Sequence, residues 1–161
     1  MMTRTYRKGG VGAMMDEYER AVAEFSRVVE GIDDAAFERR RDRETKDENC
    51  RSIQTVVRHV ARAGLRYAAG IRNALGVATP WPDLPLSSRA QSLEELRGML
   101  AYTEATLEGR WEMKDDEITA VRIETPWKVT YDLEQMLEHA IVHVLRHRRQ
   151  IERFLSEPRF Q

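Results

Sequence analysis

Apolar residues recur at steps of three and four along four stretches of the chain, the spacing that places side chains on one face of an α-helix. The stretches cover residues 13–32, residues 52–75, a third segment that begins at Ser92 and reaches Trp111, and residues 132–155. Gly76 follows the second stretch and Pro158 follows the fourth, as is common just beyond the end of a helix. The pattern therefore predicts four amphipathic helices.

The segments between these helices carry the signals of turns and loops. Residues 33–34 begin a short capped turn, and residues 38–49 are dense in mixed charge, which predicts a solvated loop. Three prolines in residues 79–87 exclude a helix there and predict a long second connection. Residues 118–123 favour a brief strand, which Pro126 interrupts.

Four helices of this length predict an all-α fold, a four-helix bundle. A chain of 161 residues fits one domain. We expect the bundle over residues 13–157, preceded by a flexible polar arm over residues 1–12. Ser92 is the expected N-cap of the third helix because Glu95 follows three residues later, as in a capping box.

Composition excludes several classes of partner. The chain has 26 basic and 27 acidic residues and a net charge of -1, which removes the surplus of positive charge on which nucleic-acid binding depends. The single cysteine, Cys50, allows no internal disulfide, and no apolar run is long enough to span a membrane. These features predict a cytoplasmic protein with neither nucleic acid nor membrane as a partner.

All four histidines fall on the second and fourth predicted helices. His59 lies in the second, whereas His139, His143 and His147 form a column in the fourth at spacings of four residues. Residues four apart share a helix face and lie about 6 Å apart along the axis, so two neighbours can direct their rings at one ion. The outer two, about 12 Å apart, cannot easily do so. The column therefore supplies one adjacent pair and one spare histidine.

A helical wheel with about 100° per residue separates the pair from the spare. Measured from Leu133, near the centre of the apolar stripe, His147, His143 and His139 lie about 40°, 80° and 120° away. His139 should therefore be the most exposed of the three, with the other two flanking the core. His59 lies about 120° from the centre of its own stripe, at a seam where it can add a third ligand.

Spacing alone leaves two interpretations of the histidines open. Neutral imidazole is a good ligand for zinc, nickel, iron and copper, and three protein ligands leave a position for water or substrate, as in catalytic zinc sites. Alternatively, His139 is a surface residue, His59 is a partly buried hydrogen-bond donor, and the other two are solvated neighbours of the arginines around them.

Other side chains are candidates for a supporting role. Gln150 shares the histidine side of its helix and can hydrogen-bond a ligating ring or else pack and cap, and His139 is a second candidate neighbour of the ligands. Arg58, Arg62 and Arg66 form a column that would attract a carboxylate or else form a solvated helix face. Cys50 would be a nucleophile or a small apolar filler.

The tryptophans would line a pocket or belong to the core. They are Trp81, Trp111 and Trp127.

Three segments carry a family resemblance. They are residues 52–64 around His59, then Thr125-Pro-Trp127, and then the fourth helix from Leu137-Glu-His139 through His143 to Arg146-His147-Arg-Arg-Gln-Ile151. With these segments the sequence resembles the DinB superfamily, also called the DinB/YfiT-like family of metalloenzymes, over nearly the whole chain. Two positions depart from the commonest family pattern: Arg146 stands where histidine is frequent, and Arg149 where glycine is frequent.

The resemblance implies an up-down-down-up bundle with a long second connection, often assembled as a homodimer. It also implies one divalent metal ion per chain, zinc, nickel or iron, bound by His59, His143 and His147. Characterised relatives include thiol-dependent transferases and isomerases, so the implied partners are a low-molecular-weight thiol and a small electrophilic substrate.

We therefore expect a metal-dependent enzyme, a transferase or hydrolase in which a metal-activated thiol or water attacks an electrophile. One alternative is a non-catalytic, stress-related dimeric protein that binds a metal or a small ligand, and another is a purely structural dimeric bundle. No catalytic residue is assigned from the sequence, although Glu134 and Glu138 are candidates for a general base.

Overall fold

The computed structural model describes residues 5–161, so residues 1–4 of the predicted arm lie outside the described residues. The described chain is mostly helical, which confirms the predicted all-α class, and it contains no helix long and apolar enough to cross a membrane. The elements are α1 (Gly9–Glu30), α2 (Asp34–Glu38), α3 (Ile53–Ala74), α4 (Arg89–Leu107), α5 (Asp115–Ala120), β1 (Ile123–Glu124), β2 (Thr130–Tyr131) and α6 (Leu133–Ser156). Short 3-10 turns, Glu48–Cys50 and Pro158–Phe160, precede α3 and follow α6.

Reciprocal capping hydrogen bonds fix the starts of the two helices that carry histidines. At α3 the Ser52 hydroxyl accepts from the Thr55 N–H at 3.1 Å, while the Thr55 hydroxyl accepts from the Ser52 N–H at 3.0 Å. At α6 the Asp132 carboxylate and the Gln135 amide form the same pair of bonds at 2.8 and 3.0 Å. Both helices begin within a residue of the predicted position, because these side chains satisfy backbone donors that the helix leaves free.

The first helix begins at Gly9, four residues before the predicted start at residue 13, so residues 9–12 of the predicted arm are helical. Arg7 anchors this end: its backbone N–H donates to buried Asp16 at 3.0 Å, and its guanidinium contacts Asp16 and Glu104 at 2.5 Å each. Glycines at positions 9, 10 and 12 are poor helix formers, which hid the start in the sequence. The helix also ends at Glu30 rather than at residue 32.

The N-cap of α4 is Ser88, so the prediction of Ser92 was wrong by one helical turn. The Ser88 hydroxyl accepts from the Gln91 N–H at 3.2 Å. Ser92 lies buried inside the helix, and its hydroxyl shares a 2.8 Å hydrogen bond with that of Ser87. The Ser87 hydroxyl also donates to the Glu95 carboxylate at 3.1 Å. Ser92 and Glu95 therefore have the spacing of a capping box, but both bond to Ser87 instead.

Residues 118–123 form less strand than predicted, because Ile118 to Ala120 belong to α5. Only β1 remains, and it pairs antiparallel with β2, with Ile123 opposite Tyr131. Pro126 lies in the turn between the two strands, and the Thr125 hydroxyl closes that turn by donating to the Val129 carbonyl at 2.6 Å. This small hairpin lies directly before α6.

The four long helices share one apolar core, to which α1, α3, α4 and α6 all contribute buried residues. Each of α3 and α1 packs against both α4 and α6. Early in α3, His59 contacts His147 late in α6, whereas Tyr67, two turns further along α3, contacts His139 near the start of α6. The helices that carry the histidines therefore run antiparallel, with their rings at the shared seam.

A missing side chain lets three helices meet at one point in the core. A Cβ atom added at Gly64 on α3 would lie 2.5 Å from the Met99 sulfur on α4 and 2.7 Å from the Tyr18 hydroxyl on α1. Both neighbours are buried, and the Tyr18 hydroxyl donates to the Met99 sulfur at 3.2 Å. Glycine at this position is therefore a packing requirement.

We predict that Gly64→Ala lowers the free energy of unfolding by about 1–3 kcal/mol, because the added methyl group must displace Met99 or Tyr18 in a close-packed core. Urea denaturation followed by circular dichroism measures the change. Gly98→Ala is the matched control, since Gly98 lies in α4 with open space around its Cβ position. That variant should gain about 0.5–1 kcal/mol, and a similar loss in both variants would contradict the packing explanation.

Candidate metal centre

Three histidines from two helices lie together at the α3–α6 seam. His143 and His147 occupy successive turns of α6 and are each 5% exposed, while His59 reaches them from α3 and is half-buried. One ring nitrogen from each residue lies within 4.8 Å of the other two. The helical wheel anticipated this arrangement, because it put two adjacent members of the column at the edge of the core.

Hydrogen bonds indicate which nitrogens face each other. The Nε2 atoms of His59 and His143 are 3.0 Å apart. His147 Nδ1 lies 2.8 Å from Gln150 Oε1, and because an amide oxygen only accepts, the proton of a neutral His147 ring belongs on Nδ1. This leaves Nε2 of His147 with a free lone pair, and that atom is buried without a hydrogen-bond partner.

Burial keeps the three rings neutral. Desolvation, reinforced by neighbouring His147 and Arg62, lowers the pKa of His59 to about 4. Desolvation, with His147 and His59 as neighbours, lowers the pKa of His143 to about 2, and burial also lowers the pKa of His147. At neutral pH all three rings therefore carry a lone pair, which is the state that a metal ion requires.

The donor set is suited to a divalent transition metal. Three neutral imidazoles are ligands of borderline character that suit zinc, nickel, iron and copper. The buried lone pair on His147 is an unpaired polar group of the kind that native proteins rarely leave unsatisfied. In the described part of the chain no carboxylate or thiol joins the three histidines in this cluster, so they could hold an ion with a coordination position to spare.

His139 lies apart from the cluster, as the wheel predicted. It is half-buried and more exposed than His143 and His147. Its ring stacks on Trp127 with centroids 5.3 Å apart, and it meets the edge of Tyr67 at the same distance. His139 is therefore part of an aromatic wall next to the cluster and contacts the ring of His143 at 6.2 Å.

An aromatic pocket opens on one side of His59. Its volume is about 230 Å³, and Tyr67, Trp81 and Trp127 line it together with residues of the β-hairpin. Two members of the predicted arginine column, Arg62 and Arg66, also line it. Both are held by the second connection: Arg62 contacts Asp83 at 3.4 Å, and Arg66 donates to the Pro82 carbonyl at 2.9 Å.

The other predicted candidates lie elsewhere. Trp111 does not line the pocket; it is half-buried and packs beneath the Arg7 guanidinium, 5.2 Å from the ring centroid. Arg58 is half-buried on α3 and also lies outside the lining of the pocket. Glu134 and Glu138, the suggested general bases, are exposed on α6.

A second cleft on the other side of His59 holds two residues that the sequence did not single out as neighbours of the site. Cys50 and Asp47 line it with His59 and His147, and the Cys50 thiol donates to the Asp47 carboxylate at 3.4 Å. Burial raises the pKa of Cys50, so its thiol is protonated at neutral pH. No spacing rule reveals this proximity, because both residues precede α3 in a loop whose path depends on tertiary contacts.

Comparison with known proteins identifies the family of this chain. A search of curated proteins and a search of solved structures each gave no match. The sequence profile of the DinB superfamily matches residues 17–151, a span that contains all four long helices in whole or in part and all three clustered histidines. The chain therefore belongs to the DinB superfamily.

Proposed function

We propose that this protein is a metal-dependent enzyme whose single divalent ion is held by His59, His143 and His147. The observation that carries the proposal is the buried Nε2 of His147, which has a lone pair and no partner, beside two other neutral imidazoles. Membership of the DinB superfamily supports the same assignment. Zinc, nickel and iron all suit this donor set.

The surrounding residues have roles that follow from their contacts. Gln150 fixes the tautomer of His147 and so presents Nε2 to the ion. The pocket of Tyr67, Trp81 and Trp127 offers an apolar surface for a small electrophile. Arg62 and Arg66 at its edge pair with Asp83 of the second connection. When bound, the ion would act as a Lewis acid that lowers the pKa of a thiol or water, so that the attacking anion forms near neutral pH.

A non-catalytic role in metal or small-ligand binding is the second candidate. The observation that favours it concerns the candidate general bases: Glu134 and Glu138 are exposed on α6, and the fourth histidine stacks on Trp127. An enzyme that uses a metal-bound thiolate or hydroxide does not depend on such a base, because the ion itself favours the anion. We therefore rank the metal-dependent enzyme above the binding protein.

We also propose that the four long helices form an up-down-down-up bundle. Contacts between α3 and α4 support parallel packing of this pair: Gln54 bonds to Ser87 just before α4, and Arg72, near the end of α3, stacks on Tyr102. The antiparallel pairing of α3 with α6 is consistent with the same topology. A long second connection is required to join two parallel neighbours, and residues 75–88 provide it.

We predict that His59→Ala, His143→Ala and His147→Ala each purify with little metal, since two remaining ligands do not enclose the ion and affinity falls by orders of magnitude. Elemental analysis of protein purified without added metal measures the content. His139→Ala is the matched control, because this ring lies outside the cluster, and it should stay largely loaded. Circular dichroism should show that all four variants remain helical. Loss of metal in His139→Ala with retention in His147→Ala would place the site one turn earlier.

We predict that turnover of an aromatic halide, a small apolar electrophile, requires both the metal and a low-molecular-weight thiol. A colorimetric assay of the thioether product with and without each component measures this, with His143→Ala as the metal-poor control. Full activity without any thiol would favour the hydrolase. No activity with several electrophile classes would favour the binding protein.

We predict a homodimer with two-fold symmetry in which α6 lies at the interface. Val142 and Leu145 lie three residues apart on α6 and are 60% and 37% exposed, so they form an apolar patch on one helix face. Light scattering should give twice the chain mass of 18.7 kDa, and Leu145→Lys should shift the protein toward the monomer. Leu86→Lys, an exposed position on the second connection, should leave the mass unchanged. A wild-type protein that stays monomeric at micromolar concentration would refute the prediction.

A further inference from the structure

The cleft beside Cys50 adjoins a second surface cleft. A cleft of about 470 Å³ contains His59, His147 and Arg146, and its neighbour of about 630 Å³ contains Arg41. Gln150 and Arg153 line both clefts, so the two meet at these side chains. We call the two clefts together the basic channel, defined by Arg41, Arg146, Arg149, Gln150 and Arg153.

The far end of the basic channel holds a buried arginine. Arg41 is 5% exposed, and one guanidinium nitrogen donates to the Phe160 carbonyl at 3.3 Å. Its Nε is buried without a partner, and no acidic residue of the described chain forms an ion pair with it. A buried charge without an acid is costly, and desolvation accordingly lowers the pKa of Arg41. An anion at the remaining exposed edge of this guanidinium would offset the charge.

Backbone contacts hold the loop at Arg41 in place, and burial with the bond to the Phe160 carbonyl restricts its side chain. The Arg41 N–H donates to the Arg51 carbonyl at 2.8 Å, and Arg40 forms an isolated β-bridge with Ser52, the N-cap of α3. The loop is therefore tied to the helix that carries His59. This arrangement presents a preformed guanidinium, which lowers the entropic cost of binding.

The near end of the basic channel has two more arginines without an acid. Arg146 and Arg149 are exposed on one face of α6, and no ion pair joins either to an acid in the described part of the chain. Asp47 is the acid that lines this end, and its carboxylate accepts from Asn49 and Cys50. Arg153, between the two ends, is paired with Glu157 at 2.5 Å.

Asp42 and Glu44 line the far cleft, where the Asp42 carboxylate accepts from backbone N–H groups and no ion pair joins either acid to Arg41 in the described part of the chain. Arginines outnumber acids in the lining of both clefts, so positive charge remains in excess at each end.

We propose that the basic channel binds a small molecule that carries at least two acidic groups, carboxylates or phosphates, one at Arg41 and one between Arg146 and Arg149. This inference rests on the proposed function, because it assigns the chemical class of the second substrate. The apolar electrophile takes the aromatic pocket on one side of His59, and the acidic molecule approaches His147 from the other side. Two acidic groups are needed because the two regions of excess positive charge are separated by Arg153, which is paired with Glu157.

Binding of S-methylglutathione, which has two carboxylates and a blocked sulfur, tests the proposal by calorimetry at low ionic strength. Fructose 1,6-bisphosphate is the phosphate probe, and inorganic phosphate and the diethyl ester of S-methylglutathione are the controls. We expect at least one of the two-acid probes to bind more tightly than both controls, and added salt to weaken the binding. An ester that binds as tightly as the acid, or an absence of binding by both two-acid probes, overturns the proposal.

Matched variants locate the binding. Arg149→Gln should weaken the binding about two- to fivefold, as expected for an exposed ion pair, and Arg41→Met about tenfold or more, since it removes a buried charge-assisted bond. Arg27→Gln, an exposed arginine on α1 that lines neither cleft, should bind as the wild type does. Where Arg41→Met fails to fold, the Arg146→Gln/Arg149→Gln double variant replaces it, and an unchanged affinity in that variant overturns the proposal.

The metal-poor variant His143→Ala separates this inference from the proposed function. His143 lines neither half of the basic channel, so this variant should retain the affinity of the wild type for the two-acid probe. Loss of binding in His143→Ala with unchanged binding in the arginine variants would mean that the probe's carboxylates bind the metal centre, and it would overturn the channel. If the wild-type protein itself purified without metal and still bound the probe, the channel would stand and the metal-dependent enzyme would be refuted.

Discussion

The packing of α3 against α6 is the contact on which the rest of the site depends. It removes His143 and His147 from water and brings His59 to within hydrogen-bond distance of one of them. Burial then makes protonation unfavourable, so the same contact that assembles the ring nitrogens also keeps them neutral. A looser seam would leave three ordinary surface histidines, each protonated over part of the physiological pH range.

The sequence predicts the helices of this seam well because their signals are local. The capping pairs Ser52 with Thr55 and Asp132 with Gln135 are encoded within four residues, and the histidine spacing reports directly on the helix face. The wheel also distinguished His139, whose stacking on Trp127 the structure shows. The start of α1 was missed because Arg7 stabilises it through Glu104, an interaction between residues 97 positions apart. The choice between Ser88 and Ser92 likewise depended on burial, which a single sequence does not report.

The two clefts of the basic channel could not be predicted from the sequence, because tertiary contacts and not local spacing bring their residues together. Arg41 lies in a mixed-charge segment that lacks periodicity, and Cys50 directly follows this segment. Contacts with Arg51 and with Phe160 set the position of Arg41, whereas the Cys50 N–H closes a turn by donating to the Asp47 carbonyl at 3.0 Å. The chemistry of the two sides differs as a result. The aromatic side is built from regular elements and a hairpin, whereas the basic side is built where a loop crosses the exposed arginines of α6.

The close approach at Gly64 also limits how sequences with this fold can drift. The space that a side chain at position 64 would need is filled by the ends of Met99 and Tyr18, which belong to two other helices. An exchange at one of these three positions therefore changes what the other two can accept. A homologue with alanine at 64 is expected to carry a shorter residue in place of Met99, or phenylalanine in place of Tyr18. These positions should covary even though none of the three is a ligand in the proposed metal site.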